Sequence, residues 1–299
     1  MAEAMTAEQR RSRAIGIGAL LAAGLCLSSA GLITRHVEAA DGWQLMFYRS
    51  VGMAVVLTAI FLVKERGRIA APMRAMGWNG VAIAVVMAAS MVAYLFALML
   101  TSVANTMFIV SAAPFFAALL GWAFLRERVR PLTWLAIVAA VAGMAVMFTD
   151  GFRSGDPAGL FSALFACVTF AMMVVMLRRS RGVDMLPALI LASIMSGVVC
   201  FFIAADIAVS ANDMALGLLM GAVQTAGGFG FTMIGTRRVP AAEASLVLLV
   251  EPILSPLWVW IFVAETPSTI ALVGGLIVLA AVTLQAVASV AWERRAAAA

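Results

Sequence analysis

Charge is what this chain has least of. Asp, Glu, Lys and Arg make up 12% of its 299 residues, while 64% are hydrophobic and the mean hydropathy is +1.06. Soluble domains run closer to a quarter charged, so this is the composition of a membrane protein. There is one histidine, His36, in a loop with no Ser or Asp arrangement beside it inside an apolar run. No His/Cys cluster has metal spacing, and no pair of carboxylates lies deep within the apolar runs. These gaps argue against an intramembrane enzyme, and no metal or cofactor is expected. The phosphate-cradling pattern GxxxxGK[ST] is missing too, which argues against ATP coupling within the chain. The three cysteines, Cys26, Cys167 and Cys200, all lie inside apolar runs. An odd number so placed reads as small packing residues and not as a disulfide framework.

What is present is apolar length. Ten runs can be read, at 14–33, 43–63, 77–99, 103–125, 132–149, 158–177, 186–205, 214–235, 241–263 and 269–291. A hydrocarbon core needs roughly 20 apolar residues per helix. Ten spans therefore leave only short connections and no stretch for a soluble domain. Helix is the open structure that satisfies every backbone group in lipid, so each run is read as helix.

The net charge of +5 and pI near 9.8 would admit nucleic acid as a partner, but the placement of the charges excludes it. Placing both termini in the cytoplasm puts 17 of the 20 basic residues in the two tails and the even-numbered loops. The other side keeps Arg35 and Arg153, and Arg49 falls within the second span. Such asymmetry is the positive-inside pattern, and one missed or invented helix would scramble it. Arg10, Arg11 and Arg13 before the first run, with Ser28 and Ala30 inside it, could also be read as a cleaved signal. The run is long for a signal, and removing it would break the symmetry described next. It is therefore read as a membrane helix.

Residues 102–147 shifted by 138 positions fall without gaps onto 240–285. Ala104, Pro114, Leu119, Trp122, Phe124, Glu127 and Ala142 then meet Ala242, Pro252, Leu257, Trp260, Phe262, Glu265 and Ala280. Shared apolar composition accounts for part of this, but the joint register of a mid-helix Pro and a terminal Glu is harder to obtain by chance. Five helices per half is an odd number, so the second half enters the membrane in the opposite sense. The expected fold is an all-α integral membrane protein, with ten transmembrane helices as two inverted five-helix repeats, 1–150 and 151–299, around a central cavity. Inverted repeats let each half adopt the other's conformation, which is the structural basis of transport by alternating access.

The stretch Pro114 to Val146, with Gly121, Arg126-Glu127-Arg128 and Gly143, resembles the drug/metabolite transporter superfamily in its ten-helix, duplicated EamA-type branch, as does Glu251-Pro252 through Glu265. The resemblance implies a cavity walled by helices 1–4 and 6–9, with helices 5 and 10 peripheral. It also implies export of small metabolites, and within the branch the chain is most similar to bacterial exporters of aromatic and other neutral amino acids.

Two charged residues lie deep inside spans, Arg49 in the second and Glu251 in the ninth. Such charges are costly in lipid and face a partner or a wet cavity. They read either as a structural ion pair or as groups that bind the two ends of a zwitterion. Ser90 and Tyr94, spaced i, i+4, share a face of the third span. Asn105, Thr106 and Ser111 on the fourth and Gln224, Thr225 and Phe229 on the eighth are further candidates, against a plainer reading as packing contacts. Phe161, Phe165, Phe231, Met87 and Met91 could wall the cavity or face lipid. Pro114, Pro252 and Pro256 free the carbonyls of Val110, Leu248 and Pro252, making either static kinks or hinges. Gly217 and Gly221 form GxxxG, read as close helix approach, while Gly227 and Gly228 are candidate gate glycines. Trp258, Trp260 and Trp292 read as interfacial anchors.

The sequence thus predicts a secondary transporter exporting small metabolites, most of all neutral amino acids, from the bacterial inner membrane. The alternatives are a lipophilic-cation exporter of the same fold, and, from other classes, a channel or an intramembrane enzyme. Several Lys or Arg would be needed in the cavity for sugar phosphates, and only Arg49 is available. The expected partners are a small-molecule substrate and the lipid bilayer, with the chain a monomer or weak dimer.

Overall fold

A computed structural model describes residues 7–66, 70–127, 129–154, 157–179 and 186–298. Arg68, Arg128 and Arg181 of the charge pattern lie outside the described residues. Among the described residues, ten helices are long and apolar enough to cross a membrane. The protein is an all-α integral membrane protein of two inverted five-helix repeats.

The helices are α1 (Ala7–Arg35), α2 (Gly42–Lys64), α3 (Ala70–Leu100), α4 (Val103–Ser111 and Ala113–Leu125), α5 (Pro131–Ser154), α6 (Pro157–Arg179), α7 (Leu186–Ile203), α8 (Ala211–Leu219, Met220–Gly227 and Gly228–Thr236), α9 (Ala241–Leu248 and Val250–Val263) and α10 (Thr269–Ala298). The tail face is the one where α1 begins and α10 ends; the far face is opposite. Several helices outrun the sequence reading, among them α1 from Ala7, α3, α5 to Ser154 and α10. α3 starts seven residues before its expected span and turns at Gly77, whose φ of 56° only glycine adopts freely. α10 continues past residue 291 to Ala298.

The packing respects the inversion. α1 packs on α8 as α6 packs on α3, and α2 on α8 as α7 on α3, while α2–α7 and α5–α10 are self-related crossings. α1 and α9 run parallel, clasped at three levels. Arg13 donates to Glu243 (2.7 Å) near the tail face, the Trp258 indole donates to Ser28 (3.1 Å) further along, and Arg35 donates to Glu265 (2.5 Å) at the far face. Trp258 is therefore a clip between helices and not the interfacial anchor expected of it.

The 138-residue register is visible in the backbone of α4 and α9. Each is broken near its middle, at Ala112 and Leu249, just before Pro114 and Pro252. Each ends on a left-handed cap, Arg126 (φ 55°) and Ala264 (φ 57°). The following Glu127 and Glu265 amides donate to Gly121 and Val259 carbonyls six residues back. Gly217 and Gly221 let α8 approach α2 closely. A Cβ on Gly221 would fall on the Arg49 carbonyl and 2.6 Å from the Met53 nitrogen.

Candidate functional site

Arg49 is carried by α2, four residues past Leu45 and three past Met46, which fix that face of the helix in the core. Its side chain is 4% exposed. Nε donates to Thr225 Oγ1 (3.2 Å), Nη1 to the Met91 carbonyl (3.2 Å), and the guanidinium stands 5.7 Å above the Tyr94 ring. Every one of these partners is neutral. None of the ion pairs among the described residues involves Arg49, so a buried cation is hydrogen-bonded but not charge-compensated.

Thr225 is aimed at Arg49 by an irregularity in α8. Met220–Gly227 winds as π-helix, which widens the turn at the point where Gln224 and Thr225 reach inward. The Thr225 hydroxyl lies 2.7 Å from Gln224 Oε1, and the Gln224 amide lies 3.5 Å from the Leu27 carbonyl of α1. On α3, Ser90 donates to the Ala166 carbonyl (3.0 Å), and the Tyr94 hydroxyl is buried with no hydrogen-bond partner among the described residues.

These groups face one cavity of about 790 Å³. Arg49, Ser90, Tyr94, Ser111, Gln224, Thr225, Phe229 and Glu251 all line it, with Met87, Met91, Met107 and Phe170 as its apolar wall. Glu251 forms no ion pair or hydrogen bond with any described residue, so Arg49 and Glu251 line one cavity without forming a closed pair. In the repeat register Glu251 occupies the place of Ala113, which also lines the cavity. The acid is thus supplied by one half only. Pro114 and Pro252 line it with Val110, Leu248 and Leu249, at the breaks of α4 and α9.

Other candidates lie elsewhere. Asn105 and Thr106 do not line the cavity. They sit in the first turns of α4, where Asn105 donates to Thr101 (3.2 Å) and Thr106 to the Ser102 carbonyl (3.2 Å). Pro256, Gly227 and Gly228 are also off its wall. A Cβ on Gly228 would press on the Leu27 side chain, so that glycine provides close packing of α8 on α1. Phe161 and Phe165 are more than half exposed on the lipid-facing side.

The cavity is shut on the far face. Asp213 accepts the backbone amides of Glu38, Ala39 and Ala40 (2.8, 3.0 and 2.9 Å), tying the α1–α2 loop to α8. Gln44 and Tyr48 of α2 donate to the carbonyls of Asp206 (3.0 Å) and Ile207 (2.8 Å). Toward the tail face the cavity continues to a rim of Glu127, Arg130, Thr133, Arg178, Ser289 and Trp292, where Arg130 stacks 4.3 Å over Trp292. Trp292 is therefore part of the rim as well as near the membrane surface. α10 contributes Val282, Gln285, Ala286, Ser289 and Trp292 to the wall and α7 contributes no residue, which corrects the expectation of a peripheral α10. The period-3.6 spacing of Gln285, Ser289 and Trp292 was the available signal that one face of α10 is polar.

Comparison with known proteins adds three findings. The model of the EamA-like transporter family matches residues 14–149 and again 157–286. The uncharacterized transporter YwfM of Bacillus subtilis (strain 168) is 27% identical over 276 residues, which are 88% of this chain and 80% of the relative. A chain of known crystal structure superposes with a TM-score of 0.63 over 92% of this chain and 96% of its own, at 18% identity, a likeness of fold alone.

Proposed function

The chain belongs to the EamA-like transporter family, and from that premise we propose that it exports neutral amino acids, aromatic ones included, across a bacterial inner membrane by alternating access. One observation carries the reading. An uncompensated buried guanidinium (Arg49), an unpartnered carboxylate (Glu251) and an orphaned phenol hydroxyl (Tyr94) face the same closed-ended cavity. A zwitterion satisfies all three at once: its carboxylate takes Arg49 and Tyr94, and its ammonium takes Glu251. The apolar remainder of such a solute meets Met87, Met91, Met107, Phe170 and Phe229, and thioethers adapt to side chains of different shape.

Orientation rests on the basic residues of the tail face, which give a cytoplasmic location to both termini. The cavity rim then faces the cytoplasm, the side from which an exporter loads. The second reading, export of lipophilic cations, draws on Glu251 with Tyr94 and Phe229, but it leaves Arg49 without a counter-charge. Counterflow of labelled amino acids into proteoliposomes, with and without a pH gradient, tests the proposal. Accumulation that Arg49→Gln abolishes supports it, and accumulation of lipophilic cations alone supports the alternative.

A further inference from the structure

The inverted register relates not only helices but two ion pairs. At the far face Arg35, in the last turn of α1, donates from Nε to Glu265 Oε2 (2.5 Å), at the end of α9. Arg35 also donates to the carbonyls of Leu98 (2.6 Å) and Thr101 (2.9 Å), and Glu265 Oε1 accepts the Val103 amide (2.9 Å). Four charge-assisted bonds thus join α1, the end of α3, the start of α4 and α9. Exchanging the repeats turns α1 into α6 and α9 into α4. In the last turn of α6 stands Arg178, and after the left-handed cap of α4 stands Glu127. They too are paired, at the tail face, but through one contact of 3.3 Å with both side chains about half exposed at the cavity rim.

We propose that Arg35–Glu265 and Arg178–Glu127 are repeat-related latches that close alternately, the first holding the far face shut while the cavity opens to the tail face, the second closing the tail face when the far face opens. The inference rests on the alternating-access reading above. The symmetry is specific about the second state. Glu127 then accepts the amide of Ala241, the repeat counterpart of Val103, and Arg178 gathers carbonyls at the C-terminal end of α8 as Arg35 does at the end of α3. Identical backbone caps at Arg126 and Ala264 aim the two carboxylates alike, so the difference between tight and loose latch lies in helix position and not in local structure. An exposed pair contributes little and a pair buried among several donors contributes more, so each latch strengthens as its own face closes.

Two cysteine reporters test this without any substrate, on a Cys26→Ala background. They are Thr133→Cys and Ala271→Cys: Thr133 lines the open cavity, and its counterpart Ala271 is 1% exposed. Labelling uses a membrane-impermeant maleimide applied from each side. Glu265→Gln should slow Thr133→Cys labelling roughly tenfold, the factor that about 1.4 kcal/mol confers, and speed labelling of Ala271→Cys from the far face. Adding Glu127→Gln should return both toward the starting rates. Opposite movement of the two reporters, reversed by the second variant, supports the latches. No change, or acceleration at both sites as from general loosening, overturns them. Because no cargo is involved, the counterflow assay can fail while this result stands, and the reverse.

Discussion

Arg49 Nε and Thr225 Oγ1 stand 3.2 Å apart, joining α2 of the first repeat to the π-helical turn of α8 in the second. That bond holds the guanidinium against the cavity wall. Thr225→Val keeps the shape and removes the acceptor. The half-saturating substrate concentration should rise about fivefold, the effect of about 1 kcal/mol for one hydrogen bond, with little change in maximal rate. Concentration dependence of counterflow checks it.

The two membrane charges separate the two cargo readings. Arg49→Gln should cost amino-acid transport more than tenfold while leaving any lipophilic-cation flux untouched, since a buried charged hydrogen bond to the cargo contributes about 1.5–3 kcal/mol. Glu251→Gln should lower both. Parallel uptake of a labelled amino acid and a labelled quaternary ammonium by each variant gives the answer.

Gly221 is where α8 meets the backbone of α2 directly. Gly221→Ala should force the helices apart, costing about 1–3 kcal/mol as overpacking does, and carry Arg49 away from Thr225. Gly230→Ala is the control, because no atom lies within 4 Å of the added carbon. Thermal unfolding in detergent should show a drop in Tm for the first and none for the second.

Asp213, 1% exposed, receives three backbone amides from the α1–α2 loop. Asp213→Asn puts an NH₂ group against donors that need an acceptor. A loss of about 2 kcal/mol is expected from the bonds left unmade, seen as a lower Tm and as faster maleimide labelling on the far face.

Much of the fold is legible in the residues alone, because bilayer thickness sets helix length and the basic residues mark alternate loops. The Pro114/Pro252 and Glu127/Glu265 register also appears in the backbone caps of α4 and α9. The site was legible where a charge or a polar pair interrupts an apolar face, as at Arg49, Glu251, Ser90 and Tyr94. It was not legible at Asn105 and Thr106, where the Asn105 amide nitrogen and the Thr106 hydroxyl donate to the preceding turn, at Thr101 and Ser102, off the cavity wall. Nor did spacing reveal the π turn of α8, which depends on tertiary packing against α2. The rim residues Arg130 and Arg178 read as ordinary loop charges until the cavity joined them to Trp292 and Glu127.

Arg49 and Glu251 line one cavity and are proposed to hold the two ends of a zwitterion. The most direct measurement of this is counterflow in proteoliposomes loaded with unlabelled phenylalanine, given external labelled phenylalanine or its decarboxylated amine. Saturable accumulation of the amino acid, none of the amine, and loss of accumulation in Arg49→Gln are expected. Equal accumulation of both compounds, or full activity of Arg49→Gln, would contradict the proposal.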